Sequence, residues 1–171
     1  MIRARTDRFL AWGLAGALVF ALAACQTAPV SPHVRLGNPS QANPSDRRNY
    51  LVVRPQYVLS FNCQTGLANW AAWQVDRRYL GRTDRQDDFE RDTSLPAGCL
   101  SSAPQAYRGS GYDRGHLVPS ADRSDTVADN QATFLTSNVV PQSPANNRGP
   151  WRELEEYCLS LIHISEPTRP Y

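Results

Sequence analysis

The chain has 171 residues, 41% of them hydrophobic, and a formal net charge of +2. An apolar N-terminal segment, a Pro/Ser/Asn-rich stretch and an atypical ending leave residues 46–158 as the folded unit, enough for one small domain with a core. This size and composition exclude a multidomain enzyme, a collagen-like repeat, a coiled coil and a multispanning membrane protein.

The charges are unevenly spread along the chain. All 18 basic residues are arginine, and residues 25–158 hold 14 arginines against 14 acidic residues. The positive excess therefore belongs to the N-terminal segment. A nucleic-acid ligand would have to be held by local arginines, because the domain has no global positive field.

Residues 1–24 have the three parts of a secretory signal: arginines near the start, an apolar run over residues 9–22, and small residues before Cys25. The run is short for a membrane-spanning helix, which needs about 20 residues, although an uncleaved anchor is the alternative. Leu-Ala-Ala-Cys25 resembles a bacterial lipobox, which implies cleavage before Cys25 and a lipid attached to it. Gln26 replaces the aspartate of an inner-membrane retention signal, so we expect an exported protein anchored to the outer membrane, on its periplasmic or extracellular face.

Residues 25–45 contain four prolines among Ser, Asn and Gln. Such a composition buries too little apolar surface to fold, and it predicts a flexible linker in which His33 is a solvated histidine.

Export places the cysteines in an oxidising compartment. Cys63, Cys99 and Cys158 allow three single bridges, among which the sequence does not choose; Cys63–Cys99 is the pairing we favour. The chain has no Cys-x-x-Cys spacing, which argues against structural zinc.

The first half of the domain reads as β-structure. Runs of β-branched and aromatic residues predict strands at 50–54, 56–61 and 69–75, with a turn at 62–66. Residues 81–111 are polar and read as loop, and a strand at 114–118 is stopped by Pro119.

The second half mixes helix and strand. Residues 120–132 are compatible with a helix capped by Ser120 or Asp122, and residues 134–138 with a short strand. Residues 138–149 read as loop, after which Pro150 suits the first position of a helix. The mixture predicts an α+β fold.

His116 is the one histidine between residues 46 and 158, in the segment Gly-Ser-Gly-Tyr-Asp-Arg-Gly-His-Leu-Val-Pro-Ser-Ala-Asp122. A packed or surface histidine is the commoner case, but Asp113 and Arg114 place charges beside this one. Glycines at 109, 111 and 115 allow the backbone to approach another group closely. A neutral imidazole with a pKa of about 6.5 is a suitable general base.

A second cluster runs from Thr136 to Glu155 and is rich in asparagine. A loop and a capped helix would explain its composition. However, Asn147 precedes a helix start and Glu155 lies two turns further along, and an amide oxygen with water suits a hard cation such as Mg²⁺.

Asp-Arg-Gly-His-Leu-x-Pro-x-x-Asp, followed by Ser-Asn-x-x-Pro-Gln and Asn-x-Gly-x-Trp-x-x-Leu-Glu, resembles the DNA/RNA non-specific endonucleases, a ββα-metal family that includes mitochondrial endonuclease G and secreted bacterial nucleases. The segment Arg-Gln-Asp-Asp-Phe89 with Asp92 resembles the family's upstream arginine segment. The resemblance covers residues 49–158 and implies a ββα-metal core with a mainly antiparallel sheet, incomplete at the C-terminus.

The resemblance also implies a Mg²⁺-dependent hydrolase, with Mn²⁺ as an alternative ion, that cleaves DNA and RNA to leave 5′-phosphates. His116 would be the general base and Asn147 the sole protein ligand of the hydrated metal. Glu155 would hold a water of the metal's hydration shell, and Asn138 would support the site. Arg114 and Arg85 would neutralise phosphate charge. The oligomeric state is not implied.

Residues 159–171 resemble a translated sequencing adapter, so we expect Cys158 to be about the last native residue and the support of the site to be incomplete. Amplifying the locus tests this expectation. Two other functions fit the residues: a non-catalytic exported lipoprotein that binds nucleic acid or a protein partner, and a phosphodiesterase acting on a smaller ester.

Overall fold

A computed structural model of the protein describes residues 31–164. The predicted signal at 1–24, lipid attachment at Cys25 and the last seven residues lie outside the described residues. Within this range the α-helices and strands are β1 (Tyr50–Val53), β2 (Val58–Asn62), β3 (Leu67–Ala72), β4 (Asp113–His116), α1 (Val127–Ala132), β5 (Val139–Gln142), α2 (Pro144–Asn147) and α3 (Pro150–Ile164).

The first three strands form an antiparallel sheet in the order β1–β2–β3. Strand β2 is central, and its first four residues are all buried, as expected for a strand covered on both faces. Leu59 and Phe61 pack there with Tyr57 and Val118, which comes from the chain after β4. The strands predicted at 50–54, 56–61 and 69–75 are therefore confirmed, the third beginning two residues earlier than expected.

The second sheet pairs β4 with β5 antiparallel, Asp113 opposite Gln142 and His116 opposite Val139. Gly115 in β4 leaves room for the Gln142 side chain, which a Cβ at this position would displace. Helices α2 and α3 follow β5 directly, so β4, β5 and α3 form a strand–strand–helix unit. The predicted α+β class and antiparallel ββα core are confirmed, although the strands form two sheets rather than one.

The predicted helix over 120–132 is wrong in its first half. Ser120–Asp122 is a 3₁₀ turn, and helix α1 begins only at Val127, capped by the Thr126 side chain. Arg123 separates the two because its fully buried guanidinium donates to the carbonyl oxygens of Gln56 and Gln74. These bonds to the first sheet hold the backbone out of the helical path.

The predicted strand at 134–138 and loop at 138–149 are also wrong. Thr136–Asn138 is a 3₁₀ turn, and the strand that follows it is β5, which begins at Val139. Within the described residues β5 pairs only with β4, an edge position that tolerates Pro141. The rest of the predicted loop contains α2, whose N-cap Ser143 accepts from the Asn146 N–H.

Cys63 and Cys99 form a disulfide, and Cys158 is free. The favoured pairing is therefore confirmed. The bridge joins the end of the first sheet to the long polar segment that follows it.

His33 contradicts the prediction that it is solvated. It is 6% exposed, its Nε2 lies 2.8 Å from the Pro55 carbonyl oxygen, and its Nδ1 accepts from the Gln74 N–H at 3.1 Å. Amino-acid composition could not predict these contacts, because both of the groups that His33 binds are backbone groups. The chain thus contacts the first sheet well before residue 46.

No helix within residues 31–164 is long and apolar enough to cross a membrane. Helix α3 continues without interruption through Cys158 to Ile164.

Candidate active site

His116 is the last residue of β4 and is 7% exposed. Its ring lies between two aromatic side chains, with centroids 5.3 Å from Phe89 and 4.8 Å from Phe134, the latter edge-on. Its carbonyl oxygen accepts a 3.0 Å hydrogen bond from the Trp151 indole, which ties β4 to α3. Nε2 is buried and has no hydrogen-bond partner in the described part of the chain. A buried polar atom without a partner is costly and indicates a functional constraint.

The environment keeps the His116 imidazole neutral. Burial lowers its pKa to about 4, the positive charge of Arg85 adds to this, and Asp87 opposes it. At neutral pH the ring therefore has a free lone pair and can accept a proton.

A cleft of about 350 Å³ is lined by Phe89, which contacts this ring, and by ten other residues. Its lining consists of Arg85, Asp87, Phe89, Pro104, Tyr107, Arg108, Tyr112, Asp113, Arg114, Asn147 and Arg148. Three predicted site residues, Arg85, Arg114 and Asn147, thus share one cleft although they lie far apart in sequence. His116 does not line the cleft itself, but Phe89, whose ring packs against the imidazole, does.

Asn147 is the last residue of α2, and its amide nitrogen donates to Asp113 Oδ2 at 3.1 Å. Arg148 binds both oxygens of the same carboxylate at 2.8 Å. Hydrogen bonds from Arg148 and then Asn147 lower the pKa of Asp113, which stays ionised. Because the amide nitrogen is engaged, the Asn147 oxygen is the group left to meet a ligand.

These donors fit a hard cation. An amide oxygen beside a carboxylate suits Mg²⁺, which keeps several of its waters and needs few protein ligands. Residues 31–164 contain no group of three or more His, Cys, Asp or Glu side chains that could hold a metal.

Two arginines border the cleft from different segments. Arg85 binds Ser120 Oγ at 2.9 Å and Asp87 at 2.8 Å, and its guanidinium lies 5.0 Å from the Phe134 ring centroid. The Arg114 guanidinium lies over the Phe89 ring, 4.0 Å from its centroid. Contact with an aromatic ring positions both cations, and it leaves the charge of Arg114 without an ion-pair partner among the described residues.

Glu155 is half-buried on α3, outside the cleft lining. Burial raises its pKa to about 7, the Trp151 hydrogen bond opposes this, and the charge of Asp122 raises it further. Asp122 is itself buried and accepts from the Trp73 indole at 2.6 Å, while its second oxygen has no partner among the described residues. The structure thus places Glu155 within the electrostatic reach of Arg85 and Asp122.

Asn138 is fully buried and makes three hydrogen bonds to backbone. Its oxygen accepts from the Val118 N–H, and its nitrogen donates to the carbonyl oxygens of Val118 and Thr133. The side chain does not border the cleft, so it acts on the site by holding the chain that follows His116 rather than by touching a ligand.

A family model of the DNA/RNA non-specific endonucleases matches residues 37–166. The chain belongs to this family. It is 53% identical to a nuclease of Nostoc sp. over 135 residues, covering 78% of this chain and 49% of the relative. It is 39% identical to human mitochondrial endonuclease G over 113 residues, covering 65% of this chain and 38% of that protein.

The fold is also found in a chain of the crystal structure of the EndoG/EndoGI complex. That chain aligns with a TM-score of 0.68 at 24% identity, covering 81% of this chain and 55% of its own length. This chain therefore spans about half the length of the relatives that it matches.

Sequence reasoning missed three features of the site: the Asp113 contact with Asn147, the Phe89–Phe134 pair around His116, and the buried Asp122. Asp113 and Asp122 lie within the histidine motif, so the motif marked them without assigning a role. The contact between Asp113 and Asn147 depends on the β4–β5 pairing, which was not predicted. Glycines 109 and 111, expected to permit a close approach, instead have open space beside them and are required by their positive φ angles.

Proposed function

We propose that the protein is a metal-dependent endonuclease that hydrolyses phosphodiester bonds in DNA and RNA, with His116 as the general base. One observation carries the proposal: a neutral, buried imidazole with an unpartnered Nε2 packs against Phe89, which lines a cleft bordered by arginines. Family membership supports the same chemistry, and a base, cations and an oxygen ligand are the groups that hydrolysis of a phosphodiester requires.

His116 takes the proton from the attacking water. Phe89 contacts the imidazole and lines the cleft, so the proposed mechanism requires its ring to move when the substrate enters. Arg114 and Arg85 receive the scissile phosphate and stabilise the charge that grows on its oxygens in the transition state.

Asn147 would hold Mg²⁺, or Mn²⁺, through its amide oxygen, with Glu155 accepting a hydrogen bond from the ion's hydration shell. The bound ion supplies positive charge to the leaving 3′ oxygen, so that the phosphate stays on the 5′ end of the product. Asp113 keeps the Asn147 oxygen directed at the ligand by engaging the amide nitrogen.

Contacts to phosphate carry no sequence information. All the side chains assigned here act on phosphate or on water, so cleavage of both DNA and RNA follows. Because the positive and negative charges of the domain balance, binding of the nucleic acid depends on these local arginines.

The supporting experiment is a plasmid-nicking assay with Mg²⁺ and with EDTA, together with mapping of the product ends. We expect nicking only with the metal, 5′-phosphate ends, and no activity in His116→Ala. Arg114→Ala should lose activity, whereas Arg152→Ala, which removes an exposed arginine paired with Glu156 on α3, should not. Wild-type-like nicking by His116→Ala would remove the base from this position, and nucleic-acid binding without cleavage would favour the non-catalytic lipoprotein.

We also propose that the protein is exported and anchored through a lipid on Cys25, because residues 9–25 combine an apolar run with a lipobox-like ending. Cys25→Ser should move the protein from the membrane fraction to the soluble fraction. An unchanged distribution would contradict the anchor.

A further inference from the structure

The loop between Tyr107 and Tyr112 borders the cleft and has no part in the roles assigned above. It follows a 3₁₀ turn at Pro104–Tyr107 and leads directly into β4. Its position therefore places it beside the phosphate-binding arginine Arg114.

This loop is preorganised. Ser110 Oγ donates to the Tyr107 carbonyl oxygen at 2.8 Å and accepts from the Tyr112 N–H at 3.1 Å, closing the loop on itself. Gly109 and Gly111 adopt positive φ angles of 70° and 81°, which glycine tolerates best. A loop fixed in this way presents its side chains with little loss of conformational entropy on binding.

The charges of the cleft divide into two kinds. Arg85 and Arg148 are paired with Asp87 and Asp113. Arg108 and Arg114 form no ion pair within residues 31–164, and both side chains line the cleft. Two uncompensated guanidinium groups in one cleft match two phosphates better than one.

Tyr112 adds an aromatic surface next to these cations. It is 54% exposed and lines the same cleft as Arg108 and Arg114. An exposed aromatic ring beside cations is the combination with which proteins hold single-stranded nucleic acid, the ring stacking on a base and the cations meeting the backbone.

We propose that this loop forms a second nucleotide subsite, deepening the proposed function. Arg108 binds the phosphate next to the scissile one, and the Tyr112 ring stacks on the base of the nucleotide between them. The subsite favours an unpaired nucleotide, because a base held in a duplex cannot turn onto the ring.

The test uses a short single-stranded DNA in which one phosphodiester is cleavable, and the same strand with an abasic site at each flanking position in turn. Tyr112→Ala should lower kcat/KM about tenfold to hundredfold on the intact strand, in line with the loss of one base stack. At one flanking position the abasic strand should be cleaved equally by wild type and Tyr112→Ala. Tyr112→Phe should behave as wild type.

Tyr157→Ala is the matched control, since Tyr157 is 60% exposed on α3 and outside the cleft. This variant should leave kcat/KM unchanged on both the intact and the abasic strands. Arg108→Ala should lower kcat/KM on the intact strand. It should make no difference to kcat/KM when the phosphate next to the scissile one is replaced by a neutral methylphosphonate. Circular dichroism checks that each variant is folded.

An equal loss for Tyr112→Ala on intact and abasic strands at every position would overturn the subsite, and so would no loss on the intact strand. Failure of wild type to cleave any strand would instead count against the proposed function. In that event fluorescence anisotropy of the same proteins and strands in EDTA gives the coupling between Tyr112 and the base, and its absence would overturn the subsite independently.

Discussion

Asp113 shows how a single residue shapes the cleft. Its carboxylate holds Arg148 and the amide nitrogen of Asn147 at the same time, so the amide oxygen of Asn147 has one orientation. The motifs predicted His116, Asn147, Arg114 and Arg85 as site residues, and the structure brings the last three to one cleft. The motif spacing could not predict that Asp113 contacts Asn147, since these two residues meet only through the pairing of β4 with β5 and the helix that follows.

Replacing Asp113 with Asn should weaken metal binding by roughly tenfold to hundredfold, the usual cost of losing an outer partner of a metal ligand. The variant loses the ion pair with Arg148 and leaves both flips of the Asn147 amide available. Mn²⁺ binding followed by electron paramagnetic resonance measures this without reference to activity. Asp76→Asn, which breaks the exposed pair with Arg78 outside the cleft, is the control. Equal Mn²⁺ affinity in Asp113→Asn and wild type would contradict the role.

At the scale of elements, strands with a strong β-branched and aromatic pattern were predicted well, and the region after His116 was not. There the backbone follows buried side chains rather than its own propensity: Arg123 interrupts the expected helix, and Asn138 turns the chain before β5. Both side chains act on backbone groups distant in sequence. The local sequence pattern contains no information on which distant backbone groups these two side chains bind.

Asn138→Ala should destabilise the protein by about 2–4 kcal/mol, because it leaves buried backbone groups of Val118 and Thr133 without partners. Urea unfolding measures the change. Asn146→Ala, at an exposed position of α2, provides a comparison that should stay within about 0.5 kcal/mol of wild type. Similar unfolding midpoints for the two variants would show that Asn138 does not hold this turn.

At the scale of the whole molecule, the segment before β1 is part of the described structure rather than a solvated tether. His33 joins it to the Pro55 carbonyl oxygen, which follows β1, and to the Gln74 N–H, which follows β3, at one end of the first sheet. Only the neutral imidazole can accept the Gln74 N–H while donating to Pro55. Composition predicted a linker because four prolines lie among Ser, Asn and Gln, yet the buried His33 and the Trp70 indole, which donates to Ser40 Oγ, hold this segment on the first sheet.

The stability of the protein should therefore depend on pH through His33. Burial lowers the pKa of His33 below its ordinary value of 6.5. The hydrogen bond to Pro55 raises this pKa, and the charges of Arg123 and Arg78 lower it further. The unfolded chain then binds more protons than the folded one as pH falls through about 6.5, so the His33 contribution is present above that pH and is lost below it.

Urea unfolding at pH 8 and pH 5 tests this in wild type and His33→Gln. The glutamine variant should be less stable than wild type at pH 8, and the gap should narrow at pH 5, because glutamine does not titrate. Comparing the two proteins at each pH removes the contributions of the other titrating groups, among them His116, Asp122 and Glu155, which both proteins share. A gap of the same size at both pH values would contradict the titration of His33.

The central claim, that the His116 imidazole is the base, is tested most directly by chemical rescue. The rings of Phe89 and Phe134 flank the imidazole, so His116→Gly leaves a slot that added imidazole can enter. We expect this variant to be inactive alone and to recover plasmid cleavage in proportion to the free base of imidazole, whereas Arg114→Ala should not respond. A folded His116→Gly protein that cleaves at the wild-type rate without imidazole, or that stays inactive at saturating imidazole, would contradict the claim.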